Sequence, residues 1–146
     1  MSQKLEATTG ILSSADKFYG FFRNNMSDLV NIFPAGFKSV QVIEGAEGSV
    51  GAVLLYSFVV GAITETVKLR TEAINDAERS VTYKALEGDV LKLYKSYQFT
   101  ITVSNGSVKW TIDYEKALPV IPPPDIYMVF AFATTKAVDA YLLLSQ

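Results

Sequence analysis

Apolar positions along this chain recur mostly with period two, the spacing of strands with one buried face, and shift to helical spacing near residues 15–32 and 125–144. Ser2–Leu12 alternates as a strand. In the following "SSADKFYGFF", Ser13 is expected to cap a short helix, with Asp16 three residues on completing a capping-box-like pair ahead of an aromatic face. "NNMSDLVNIFP" predicts a second short helix, Asn25 to Ile32, ended near Pro34, and "FKSVQVIE" returns to a strand. Residues 49–116 read as consecutive antiparallel hairpins, punctuated by Gly61, "NDAER" at 75–79, "EGD" at 87–89 and "NGS" at 105–107. The segment "LPVIPPP" cannot be helical, and Asp125 just after it opens a helix running to about Leu144, the longest element.

A strand, two short helices, roughly six further strands and a long C-terminal helix describe an α+β fold in which a curved antiparallel sheet wraps one helix. Residues 1–146 are expected to form one domain. The stretch Gly51–Ile63, "GAVLLYSFVVGAI", holds no charge over thirteen residues. A membrane-spanning helix needs about 20 apolar residues, so this stretch reads as a strand, a turn at Gly61 and the start of the next strand. Ile126–Leu144 is interrupted by Lys136 and Asp139 and reads as a helix of a soluble protein.

Composition narrows the chemistry. Hydrophobic residues make up 49% of the chain and charged residues 19%, with nine Phe, eight Tyr and one Trp, the profile of a packed globular protein. A net charge of -2 offers no basic excess for nucleic acid. The chain has neither Cys nor His, so disulfides, thiolate nucleophiles and the common zinc and iron ligand sets are excluded; no metal and no cofactor is expected. "MSQKLEATTG" lacks the apolar core of a signal peptide, which makes a cytoplasmic location the default expectation. Gly45, Gly48 and Gly51 superficially resemble a phosphate loop, but no Lys-Ser/Thr pair or helix N-terminus follows them, and a structural turn is the better reading.

"SADKFYGFFRN", "EGDVLKLYKSY", "VKWTIDYEK" and "TKAVDAYLL" closely resemble the corresponding stretches of the plant major latex protein family, within the birch-pollen-allergen superfamily, over nearly the whole chain. The resemblance implies a helix-grip fold: a seven-stranded antiparallel sheet around a long C-terminal helix, two short helices forming a V at one end, and a large internal cavity for hydrophobic plant metabolites. It also implies two functional options, since the superfamily includes carriers and cofactor-free cyclases or isomerases of alkaloid and terpenoid pathways. Against the family pattern this chain has Glu47 and Val50 where Trp and a polar residue are usual, Leu54 and Leu55 where polar residues are usual, and Val60-Gly61-Ala62 at the hairpin turn. The changes on the hairpin are toward apolar.

Alternation sets Leu54, Tyr56 and Phe58 on one strand face, and comparison with the family turns this face toward the cavity. Phe22, Val67, Tyr83, Ala85, Tyr94, Tyr97 and Phe99 are expected to add to the lining, with a change of apolar phase near Ser96 that predicts a bulge. In the last helix Met128, Ala131, Thr135, Val138 and Leu142 form the stripe facing the sheet, the first four of them expected at the ligand. Tyr56, Tyr83 and Tyr94 are the candidates for hydrogen bonding to a ligand or for catalysis, whereas Glu65, Lys68 and Arg70 read as a solvated strand face.

Two further apolar rows, Val53/Leu55/Val59 on the hairpin and Ile126/Val129/Ala133/Ala137 on the last helix, have no core to cover them and point to a homodimer. The functional expectation is a binding protein for a small hydrophobic, terpenoid-like metabolite. A cyclase or isomerase of specialised metabolism, acting on an iridoid, monoterpenoid or alkaloid intermediate, is the alternative, and an interaction protein working through its apolar outer surfaces is the third.

Overall fold

The computed structural model describes residues 2–145. Seven strands form one antiparallel sheet: β1 (Gln3–Gly10), β2 (Phe37–Glu44), β3 (Val53–Val60), β4 (Ile63–Asn75), β5 (Ser80–Gly88), β6 (Tyr94–Ser104) and β7 (Ser107–Lys116). Their spatial order is β1-β7-β6-β5-β4-β3-β2, so the chain leaves one edge after β1 and re-enters at the other. Helices α1 (Ala15–Asn24) and α2 (Leu29–Ile32), joined by a 3-10 turn at Met26–Asp28, make that crossing. A one-turn helix α3 (Val90–Leu93) precedes β6, and α4 (Asp125–Leu144) lies against the inner face of the sheet. This is the helix-grip architecture expected from the sequence.

Local differences have local causes. Ser14, not Ser13, caps α1: its Oγ accepts from the Lys17 amide. Ser13 is used elsewhere, as described below. The predicted helix over residues 25–32 is split into the 3-10 turn and α2. The sequence reading also missed α3, a single turn following "EGD". The bulge predicted near Ser96 is present, as a register shift between Tyr94 and Ser96 in the β6–β7 ladder.

The outward row of β3 is not an open apolar surface. Val53 is only 5% exposed, and Leu55 and Val59 are half-buried. Residues directly opposite one another across strands share a face. Val53 is therefore flanked by Glu44 and Arg70, and Leu55 by Gln41 and Lys68. Long charged side chains cover apolar neighbours with their methylene stems, and here Lys68 reaches Glu87 at 3.2 Å while Arg70 pairs with Glu72. On α4, by contrast, Ile126, Val129 and Ala133 are exposed, and Ala137 is half-buried.

α4 has the length and hydropathy of a bilayer-spanning helix, yet polar contacts fix it to the sheet and to the loop between β1 and α1. Asp139 accepts from the Leu12 amide at 2.9 Å, the Ser13 amide at 2.8 Å and the Ser13 hydroxyl. Trp110 Nε1 donates to Thr135 Oγ1 at 2.9 Å, and Thr135 in turn donates to the Ala131 carbonyl. Tyr127 Oη donates to Glu65 Oε1 at 2.7 Å.

Burial alone would raise the pKa of Asp139, but the Ser13 hydroxyl and the Leu12 and Ser13 amides outweigh it and hold the carboxyl below its ordinary value. Stabilisation from a depressed carboxyl is present above the unfolded-state value, near about 4, and is lost as pH falls through the folded-state value. Asp139→Asn should therefore cost about 1–2 kcal/mol at pH 7, with a gap in melting temperature from the native protein that closes on acidification. A gap that persists at strongly acid pH would refute this. Gly88 has φ +133, and a Cβ there would come within 2.3 Å of the Thr66 carbonyl oxygen. Gly88→Ala should lower stability by about 1–3 kcal/mol, read by thermal melting.

Candidate functional site

The inner face of the sheet follows from strand parity. Leu54, Tyr56 and Phe58 point inward, as does the row Val67, Leu69 and Thr71 of β4; all six are buried. Glu65 has the same parity and lies opposite Phe58, so it belongs to the inward row and not to the solvated face expected for it. Lys68 and Arg70, with the other parity, do stand on the outer face. Val108, Trp110, Ile112 and Tyr114 of β7 are all buried and also lie two residues apart.

Between this face and α4 lies a chamber of about 90 Å³. It is lined by Phe22, Met26, Phe37, Tyr56, Phe58, Val67, Leu69, Val90, Tyr97, Phe99, Trp110, Ile112, Tyr127, Phe130, Ala131 and Thr134. The resemblance implied a large cavity; this one is small because aromatic side chains occupy the space. Phe130 packs on Phe37 at 5.1 Å between ring centroids and on Phe58 at 5.4 Å, with Phe33 behind at 6.2 Å. Trp110 forms another wall against Phe22 and Phe99.

Of the residues expected at the ligand, Phe22, Tyr56, Phe58, Val67, Tyr97, Phe99 and Ala131 line the chamber. Leu54 and Tyr83 border a separate small void together with Tyr56 and Phe22. Ala85, Tyr94, Met128, Thr135 and Val138 are buried but reach neither space. Thr135 meets Trp110 directly and so leaves no gap there. Tyr94, displaced in phase by the register shift at Ser96, turns its hydroxyl to the Pro122 carbonyl at 2.6 Å and fixes the segment leading into α4. Ala85 lies opposite Leu69 and has too short a side chain to reach beyond it.

The sequence reading missed Met26, Phe37, Leu69, Val90, Trp110, Ile112, Tyr127, Phe130 and Thr134 as lining. For Leu69, Trp110 and Ile112 the strand alternation already carried the signal. For Tyr127, Phe130 and Thr134 the inward arc of α4 is wider than the single stripe assigned to it.

The three candidate tyrosines differ in what their hydroxyls can do. Tyr83 donates to the Phe22 carbonyl and Tyr94 to that of Pro122, so both are committed to backbone. Tyr56 is 3% exposed, and among the described residues its hydroxyl hydrogen-bonds only to the Met26 sulfur, at 3.6 Å. Burial pushes its pKa well above the ordinary phenol value, with Tyr83 and Glu47 adding to the effect. Tyr97 and Tyr127, whose rings meet at 5.7 Å, are likewise raised, by burial first and then by neighbouring tyrosine and Glu65. All three therefore keep their protons at physiological pH. Among the described residues no three acidic side chains come together to hold a metal ion.

The model of the pathogenesis-related protein Bet v 1 family matches residues 1–145. Among curated relatives, MLP-like protein 34 of Arabidopsis thaliana is 29% identical over 99% of this chain, and the chain spans about half of that relative's length, 48%. The crystal structure of ginseng major latex-like protein 151 from Panax ginseng superposes with a TM-score of 0.94 at 31% identity, covering 97% of this chain and 98% of that one. Norcoclaurine synthase from Thalictrum flavum, at 19% identity and TM-score 0.76 over 100% of this chain and 89% of its own, shares the fold. With a family model matched over residues 1–145 and a major latex-like structure overlaid on 97% of the chain, the chain belongs to the Bet v 1 family, among its major latex protein-like members.

Proposed function

We propose that this chain binds a small, mainly apolar plant metabolite of terpenoid type in the chamber beneath α4. The chamber itself carries the reading: nine aromatic side chains and a set of aliphatic ones surround a space with few polar groups. Apolar cavities stay dry and accept apolar guests; one of about 150 Å³ takes benzene. At about 90 Å³ the chamber is smaller than a ten-carbon body needs, so binding requires its wall to yield. Phe130, half-buried on the flank of α4, and the unbranched Met26 are the side chains best suited to move. A cytoplasmic setting belongs to the same reading and fits a chain without cysteine.

One observation supports a second reading, cofactor-free cyclisation or isomerisation of a carbonyl intermediate. The Tyr56 hydroxyl is hydrogen-bonded, among the described residues, only to a thioether and could donate to a carbonyl or enol oxygen while the walls fold the substrate. Its raised pKa makes it a donor that polarises and not a ready source of protons. That favours binding and positioning over acid catalysis.

Limonene titration followed by the emission of Trp110, the one tryptophan in the chain and a wall of the chamber, tests the first reading. Saturable micromolar binding is expected, weakened at least about tenfold in Ala131→Phe, whose added ring occupies the chamber; a cooperative melt establishes that the variant is folded. Equal affinity in that variant would put the ligand elsewhere. The second reading predicts that the protein changes the stereoisomer ratio of a spontaneous carbonyl cyclisation and that Tyr56→Phe abolishes the change. The exposed row Ile126, Val129 and Ala133 supports self-association through α4; light scattering at tens of micromolar should give a dimer mass, and a strictly monomeric profile would dismiss it.

A further inference from the structure

The interior does not end at the chamber. A second void of about 10 Å³, room for about one water molecule, adjoins it and shares four of its walls: Phe22, Met26, Tyr56 and Leu69. Its remaining lining is more polar and includes Arg23, Glu47, Thr71 and Tyr83. The Tyr56–Met26 contact stands at the boundary between the two spaces.

Most of the polar groups around the second void are already committed. Tyr83 donates to the Phe22 carbonyl. Arg23 donates to Asp76, Asn24 and the Gly48 carbonyl. Glu47 accepts from the Ser27 amide at 2.9 Å and from the Ser27 hydroxyl at 2.7 Å. Tyr56 and Thr71 are the exceptions. The Tyr56 hydroxyl, whose one hydrogen-bond partner among the described residues is a thioether, a weak acceptor, is an under-used donor. Thr71, also buried, makes no side-chain hydrogen bond among the described residues. The two hydrogen bonds that Ser27 donates to Glu47 fix the backbone beside Met26, so the flexible part of the boundary is the Met26 side chain.

We propose that Met26 is a movable partition and that the void behind it receives the oxygen-bearing end of a ligand whose apolar body fills the chamber: a neutral molecule carrying a carbonyl or similar acceptor, which takes the Tyr56 hydroxyl from the Met26 sulfur. This rests on the pocket reading above and adds a substrate class to it. Glu47 borders the same void, and the charge of Arg23 is already met by Asp76 at 2.9 Å. A carboxylate end is therefore disfavoured by like charge.

Limonene, carvone and perillate share one ten-carbon skeleton and carry no oxygen, a ketone and a carboxylate respectively. Titrated against the full chain with Trp110 emission as readout, carvone should bind roughly three- to tenfold more tightly than limonene, the range of one net hydrogen bond. Perillate should bind more weakly than carvone. The carvone-to-limonene ratio should fall to near one in Tyr56→Phe, and should fall also in Met26→Ile, whose branched Cβ stiffens the partition; melting curves establish that both variants are folded. Equal affinities in the native protein, a carvone preference that survives Tyr56→Phe, or perillate as the tightest binder would overturn the proposal and leave the pocket reading intact. No saturable binding by any of the three would remove both.

Discussion

The structure depends on how an almost uniformly apolar helix is held in one register. α4 presents hydrophobic residues on its outer as well as its inner side, so burial alone does not distinguish one rotation or translation from another. Three polar contacts do: Tyr127 to Glu65 near its start, Thr135 to Trp110 in the middle and Asp139 to Leu12 and Ser13 toward its end. Each would leave a polar group without its partner if the helix slipped by a residue. Between the first two of these points lie Phe130, Ala131 and Thr134, which with Tyr127 roof the chamber. Small Ala131 is flanked by larger neighbours, and the sheet below carries rings that meet Phe130 before they can close on the helix backbone.

The same economy of polar groups shapes the interior. Most buried hydroxyls are turned away from the chamber to structural acceptors: Tyr83 and Tyr94 to backbone carbonyls, Thr134 and Thr135 to the preceding turn of α4. What is left to face a guest is aromatic surface, the Tyr97 hydroxyl, which makes no hydrogen bond among the described residues, and the Tyr56 donor beside a sulfur that accepts weakly. Such a lining favours ligands by shape and dispersion, with few directional contacts available to orient them.

Strand parity made much of this legible in the sequence. The alternation in "VLLYSFVV" turned Leu54, Tyr56 and Phe58 inward, and the Pro-rich segment before Asp125 marked the start of α4. Parity also carried information that a reading by residue type obscured: Glu65 was grouped with Lys68 and Arg70 because it is charged, although its position sets it among Val67 and Leu69. Three-dimensional spacing was not legible. Whether a buried aromatic lines a void or fills it depends on the distance between α4 and the sheet, which no local pattern encodes. Nor could periodicity foresee that Lys68 and Arg70 would shelter the outward row of β3, or that Met26, in a 3-10 turn, would stand between two spaces.

The central claim is that an apolar guest enters between α4 and the sheet. Resonance-assigned NMR of the aromatic and methyl groups during limonene addition tests it most directly. The account predicts saturable shifts at Phe58, Val67, Trp110 and Phe130, with Ile126 and Val129 on the outside of the same helix unmoved. Shifts confined to Ile126 and Val129, with the chamber residues silent, would contradict it.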